Sequence, residues 1–137
     1  MSNFLKSNDT GILLLRIGLG IVLLFHGFYK LTHGVNWMVG PLSKFGIPFF
    51  VAYGVYIAEL IAPIILVIGF RTRLAGLVIS FDMFMAIFLV LRQQLFAVKE
   101  SGGGWGIELE ALIFFGSLTL FFTGGGKFSV STNSVWD

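Results

Sequence analysis

The sequence has no cysteine and few charged residues, and both shortages narrow the class of protein. Without cysteine the chain forms no disulfide, ligates no iron–sulfur cluster through thiolates, and attaches no haem through thioethers. Charged residues make up 12% of the chain, whereas soluble domains carry ~25%. The net charge of +2 includes no basic block, so nucleic acid is not an expected partner.

Histidine is also scarce, which limits the chemistry that the chain performs by itself. His26 and His33 are seven residues apart, so on one helix they would lie ~10 Å apart along the axis and could not hold both faces of one haem. The chain lacks paired Glu-x-x-His segments, zinc spacing and a Ser-His-Asp arrangement. We therefore expect no bound metal.

Long hydrophobic runs are abundant, and hydrophobic residues reach 56% of the chain. Four runs, at about residues 10–31, 48–70, 72–92 and 106–122, are near the ~20 residues that cross a bilayer. We predict an all-α, multi-pass transmembrane four-helix bundle, formed by residues 1–137 as a single domain in the lipid bilayer. Four spans put both termini on one side.

Two basic residues lie in the first run, where charge is costly. At ~100° per residue, Gly20, Gly27 and Lys30 fall within ~40° of the direction of Arg16, so one helix face is small and polar. Either Arg16 and Lys30 extend to the two membrane interfaces, or Arg16 faces the bundle and has an acidic or carbonyl partner there. We predict the second arrangement.

Glu59 lies near the middle of the second run, and Pro63 follows four residues later. Pro63 has no N–H to bond the Glu59 carbonyl, so a carboxylate and a freed carbonyl coincide at one depth. This coincidence indicates either a proton, ion or quinone site, or a kink in which a protonated Glu59 is hydrogen-bonded inside the bundle. An ionised carboxylate at this depth needs a cation, and we predict His26 as the partner because its depth is closest.

Three further acids lie in the last two runs. Asp82, near the middle of the third run, is either a partner for Arg16, a proton-binding group, or an interhelical hydrogen-bond contact without chemistry. Glu108 and Glu110 open the fourth run and point ~160° apart, so at most one of them faces the bundle.

The connection at residues 32–47 is either an interfacial segment or a loop anchored by Trp37.

The order of these residues resembles the DoxX family of small four-span membrane proteins. The resemblance covers nearly the whole chain and is carried by Arg16, Gly27 and Lys30, Gly46 and Pro48, Glu59, the turn Gly69-Phe70-Arg71-Thr72-Arg73, Gly106 and Glu108, and the glycine-rich exit to Ser129. It implies a protein of the bacterial inner membrane, associated with quinone-dependent oxidoreductases or redox-stress complexes.

The positive charges favour termini in the cytoplasm. Lys6, Arg71, Arg73 and Lys127, with Arg16 nearby, lie on the terminal side, against Lys30, Lys44, Arg92 and Lys99 on the other.

We predict a quinone-contacting or accessory subunit of a membrane oxidoreductase or redox-stress complex. Quinone is the expected ligand, and the expected partners are redox-complex subunits or a second copy of the chain. The rival hypotheses are a proton or small-solute carrier, and a structural membrane partner without catalytic activity. The candidate site residues are Arg16, His26, Lys30, Glu59, Asp82 and Glu108.

Overall fold

The chain is helical, as predicted. The computed structural model describes residue 3 and residues 6–137, so residues 1, 2, 4 and 5 of the predicted domain lie outside it. Within the described residues no β-strand occurs, and one isolated bridge joins Val98 and Trp105. The helices are α1 (Asn8–His33), the short α2 (Val39–Ser43), α3 (Phe49–Ile68), α4 (Thr72–Leu89) and α5 (Glu108–Thr123).

Helix α3 changes its winding along its length. It begins as a 3₁₀ turn at Phe49–Tyr53, continues as one α turn, forms a π-helical turn at Ile57–Ile61, and ends as an α-helix at Ala62–Ile68. The π turn is centred on Glu59 because Pro63 supplies no N–H to the Glu59 carbonyl. The predicted combination of Glu59 with Pro63 four residues later is therefore seen in the structure as a π turn, which is wider than an α-helical turn.

The four long helices pack in a closed ring, α1 on α3, α3 on α4, α4 on α5 and α5 on α1, and the α4–α5 contact is the most extensive. A single apolar cluster fills the centre of this ring. Its buried members are Leu19, Leu23, Ala62, Leu66, Ala75, Ile79, Met83, Ile113 and Leu120. The bundle is thus held by side chains that all four helices contribute.

Large apolar side chains cover the outside of the bundle, where lipid would contact them. Phe25 is 76% exposed and Leu112 72% exposed, which is unsuited to water. Helices α1, α3 and α4 are long and apolar enough to cross a membrane. Helix α5 has 16 residues, about 24 Å at ~1.5 Å per residue, so the fourth crossing stays a prediction.

The bundle has two different ends. At the first, here called the loop end, residues 34–48 and 90–107 connect the helices, and Val35 and Leu42 pack on Ala52 and Val55 of α3. The connection at residues 32–47 is therefore a packed part of the bundle.

At the opposite end, here called the tail end, residues 124–137 fold back across the start of α1 and the α3–α4 turn. The Lys127 N–H donates to Asp9 Oδ1 over 2.9 Å, and the Ser131 N–H donates to the Gly69 carbonyl over 3.2 Å. The tail is thereby tied to two helices that are distant from it in sequence.

Candidate functional site

An ion pair joins helices α1 and α3 in the loop-end half of the bundle. Lys30 Nζ donates to Glu59 Oε1 over 2.5 Å, and the two side chains are 18% and 4% exposed. The prediction that His26 is the partner of Glu59 is wrong. His26 is largely exposed, and the cation that reaches the carboxylate is Lys30.

Helix geometry explains why Lys30 reaches Glu59. Gly27 lies so close to α3 that a Cβ there would overlap the backbone carbonyl of Glu59. Lys30 follows about one turn later, and side chains on a helix tilt toward its N-terminus. The four-carbon stem of Lys30 therefore reaches back from the helix end toward the middle of the bundle. The prediction of His26 compared only the depths of the Cα atoms and did not account for the length of the Lys30 side chain.

Asp82 of α4 adds a second acid to the ion pair. Its carboxyl faces that of Glu59 closely enough for a hydrogen bond when one of the two carries a proton. The other Glu59 oxygen, Oε2, is buried and has no hydrogen-bond donor. Fully ionised, Lys30, Glu59 and Asp82 would carry one net negative charge, which is costly in apolar surroundings.

A cavity of about 360 Å³, here called the large cavity, lies beside this cluster. Lys30, Glu59 and Asp82 line it among mainly apolar side chains of α3, α4 and the connection at residues 34–48. The other lining residues are Trp37, Met38, Leu42, Ile47, Val51, Ala52, Gly54, Val55, Ala58, Val78, Phe81, Met85, Ala86, Leu89 and Val90. An apolar wall with a few converging polar groups is typical of small-molecule sites, which measure ~300–1,000 Å³.

A second cavity of about 150 Å³, here called the small cavity, touches the same ion pair from the side of α1 and α5. Its polar lining consists of Lys30 and Glu59 together with His26 and Glu110. Glu59 therefore forms part of the wall of both cavities. Glu110 is a lining residue that the sequence did not single out as a site candidate.

Arg16 is fully buried at the other end of the bundle, about 21 Å along α1 from Lys30 at ~1.5 Å per residue. It donates to the carbonyls of Leu66 and Val67, over 2.9 and 2.8 Å, and to that of Gly125 over 2.8 Å. The prediction of an acidic or carbonyl partner inside the bundle is confirmed, and the partners are carbonyls. These bonds tie α1 to the last turn of α3 and to the tail, far from both cavities.

Glu108 also lies apart from the cluster. Its carboxylate accepts a hydrogen bond from Lys99 Nζ over 3.1 Å, and both side chains are about half exposed. Of the two acids that open α5, Glu110 faces a cavity and Glu108 faces the loop. In the part of the chain that the structure describes, no three histidine or acidic side chains converge as a metal-ligand set.

Comparison with known proteins identifies the family of this chain. The model of the DoxX family matches residues 11–92, more than half of the chain. The chain belongs to the DoxX family. The matched region contains Lys30, Glu59 and Asp82, whereas Glu110 lies beyond it.

This DoxX protein is also similar to a bacterial protein described as "Putative oxidoreductase CatD", from Bacillus subtilis (strain 168). The two are 29% identical over 119 residues, which are 87% of this chain and 83% of that protein. No solved structure matches the chain. Family membership and the apolar helices together identify a membrane protein.

Proposed function

We propose that this DoxX protein is a quinone-contacting subunit of a membrane redox complex and that the large cavity receives the quinone ring. The observation that carries the proposal is an apolar cavity with one cation and two acids on its wall. A quinone is a flat apolar ring with two carbonyl oxygens, and it needs an apolar slot and hydrogen-bond donors. The description of the B. subtilis relative as an oxidoreductase supports this class of function.

The charged cluster suits both redox forms of the ligand. The Lys30 ammonium has three N–H groups and gives one to Glu59, so it can donate another to a quinone carbonyl. A quinol hydroxyl can donate to the Asp82 carboxylate. In this proposal the chain binds the ring and exchanges its protons. Reduction of one quinone takes two protons and two electrons, and the electrons come from a partner subunit that carries a flavin or metal cofactor.

The rival hypothesis of a proton or solute carrier has less support. A carrier needs access to its site from both membrane faces, whereas the large and small cavities both lie toward the loop end. A further cavity of about 320 Å³ lies at the tail end and shares no lining residue with these two. The packed cluster that includes Leu66, Ile79 and Leu120 fills the bundle between the two ends. We propose further that the tail end faces the bacterial cytoplasm, because it holds five basic residues against four at the loop end. The five are Lys6, Arg16, Arg71, Arg73 and Lys127, and the four are Lys30, Lys44, Arg92 and Lys99.

Quinone binding in nanodiscs tests the proposal. Decylubiquinone and a short-chain menaquinone analogue should quench the fluorescence of Trp37, which lines both cavities and so reports a quinone ring bound beside the ion pair. Lys30→Met alone leaves Glu59 buried without its cation, so the double variant Lys30→Met/Glu59→Gln is the better probe. We expect this variant to bind at least ~10-fold more weakly, because a hydrogen bond from a charged donor contributes ~1.5–3 kcal/mol.

Two controls make the test specific. Lys44→Met removes an exposed lysine that does not line the cavity and should bind like the native protein. Trp37→Phe should remove most of the quenching while Trp105 and Trp136 still fluoresce. A folded double variant with native affinity, or a native protein that binds neither analogue, would overturn the proposal.

A further inference from the structure

We propose that the small cavity is a hydrated proton route that connects Glu59 with the loop-end face of the membrane, with Glu110 as its outer proton-exchanging group. The inference deepens the proposed function, since it says how protons reach the quinone site. The route itself needs no quinone, because it ends at Glu59. Proton exchange at Glu59 can therefore be tested separately.

The first support is the buried carboxyl group at the inner end of the cavity. Glu59 is 3% exposed, its side chain lines the small cavity, and its Oε2 atom has no donor while Glu59 and Asp82 are both ionised. A buried acceptor in this state costs ~1–3 kcal/mol, and either a proton shared between the two carboxyls or a water molecule in the cavity satisfies it. A buried carboxyl pair beside a cavity that holds water is the arrangement that a proton route needs at its inner end.

The second support is the combination of volume and polarity. A volume of about 150 Å³ accommodates several waters at ~30 Å³ each. Buried water is retained where polar groups offer two to four hydrogen bonds, and carboxyl, ammonium and imidazole groups line this cavity. These groups are Glu59, Lys30, His26 and Glu110. A dry cavity would instead have a wholly apolar wall.

The third support is the order of the polar groups from the membrane face inward. Glu110 lies in the first turn of α5, at the loop end, and is only partly buried, so it can exchange protons with the membrane face. Glu59 lies deeper and also lines the large cavity. The charged groups facing Glu59 are Lys30 of α1 and Asp82 of α4. A proton entering past Glu110 reaches the carboxyl pair of Glu59 and Asp82, and no group in this path changes its oxidation state.

The experiment follows protonation of Glu59 by time-resolved infrared spectroscopy after a rapid drop in pH, in nanodiscs without quinone. The Glu59 band is assigned as the one that Glu59→Gln removes. Glu110→Gln should slow its appearance at least ~10-fold, because a positioned acid–base group accelerates proton transfer ~10²–10⁴-fold. The matched control is Glu108→Gln, which removes an exposed carboxylate two residues away and should leave the rate unchanged.

A second pair of variants tests the cavity and does not alter charge. Leu109→Trp fills the small cavity and should also slow protonation, whereas Leu112→Trp, at an exposed position outside both cavities, should not. Native rates in both Glu110→Gln and Leu109→Trp would overturn the route. Equal slowing in Glu108→Gln and Glu110→Gln would overturn it too, since surface charge would then be the cause. Failure of quinone binding with these rates as expected would overturn only the proposed ligand.

Discussion

Arg16 is a fully buried cation whose hydrogen-bond partners are three backbone carbonyls. Two of these carbonyls, of Leu66 and Val67, belong to the last turn of α3, where the Leu66 carbonyl also accepts the Gly69 N–H over 3.1 Å and helical donors run out. The partial negative charge of a helix C-terminus also favours a cation at this place. Arg16 therefore closes one helix end and links it to the tail at Gly125.

Replacing Arg16 tests this structural role. Arg16→Leu should lower the free energy of unfolding in detergent by about 2–4 kcal/mol, because the carbonyls of Val67 and Gly125 lose their donor at ~1–3 kcal/mol each, whereas that of Leu66 keeps the Gly69 N–H. Lys44→Leu, which removes an exposed cation, should change it by no more than ~0.5 kcal/mol. Chemical denaturation followed by circular dichroism measures both. An unchanged stability of Arg16→Leu would mean that its three bonds contribute nothing.

At the scale of elements, the contact between α1 and α3 determines where the charged cluster forms. Gly27 packs against the carbonyl of Glu59 and Gly20 packs against Val67, so the two helices approach closely along one face. The π turn of α3 lies at the same level as Gly27. Because the backbones are in contact there, Lys30 and Glu59 need only their own side-chain lengths to meet.

A methyl group on Gly27 should separate the two helices. Gly27→Ala places a Cβ inside the backbone of Glu59, which side-chain rotation cannot relieve, so we expect a loss of ~1–3 kcal/mol in unfolding free energy. Gly18→Ala is the control, since nothing lies within 4 Å of a Cβ at that position in the same helix. It should be neutral or stabilising by up to ~1 kcal/mol through helix propensity. Equal stabilities of the two variants would contradict the close contact.

At the scale of the whole molecule, the tail closes one end of the bundle through a buried acid. Asp137 accepts hydrogen bonds from the Ser131 hydroxyl over 2.8 Å and the Ser134 N–H over 2.6 Å, and it pairs with Arg71 over 3.2 Å. Burial alone would raise the pKa of Asp137, but these hydrogen bonds and the Arg71 charge outweigh it and hold the pKa below its ordinary value. The tail is therefore anchored more firmly when Asp137 is ionised.

The sign of this pKa shift predicts how stability depends on pH. A lowered pKa stabilises the fold above the unfolded value of ~3.9, and the contribution is lost as the pH falls through the lower folded value. Asp137→Asn should therefore melt at a lower temperature than the native protein near neutral pH, and the difference should shrink below about pH 4. Glu100→Gln, an exposed acid of the loop end, should show neither effect. A difference that persists undiminished in acid would contradict the assignment.

The sequence by itself determined the class of fold, because the length of each apolar run and the shortage of charge require helices in a bilayer. It also located Glu59 with Pro63, and it led to the prediction that Arg16 has an acidic or carbonyl partner inside the bundle, since a charge at that depth needs one; only the structure showed that the partners are carbonyls. Each of these inferences needs only the residues of one segment and the free-energy cost of placing polar or charged groups inside a bilayer.

Only the tertiary structure decided which groups meet. It pairs Glu59 with Lys30 and not with His26, turns Glu110 inward and Glu108 outward, and opens two cavities that share one ion pair in their walls. These outcomes depend on the rotation of each helix about its axis and on how closely neighbouring backbones approach. Both are determined by the packing of side chains from all four helices at once, which the pattern within a single helix does not specify.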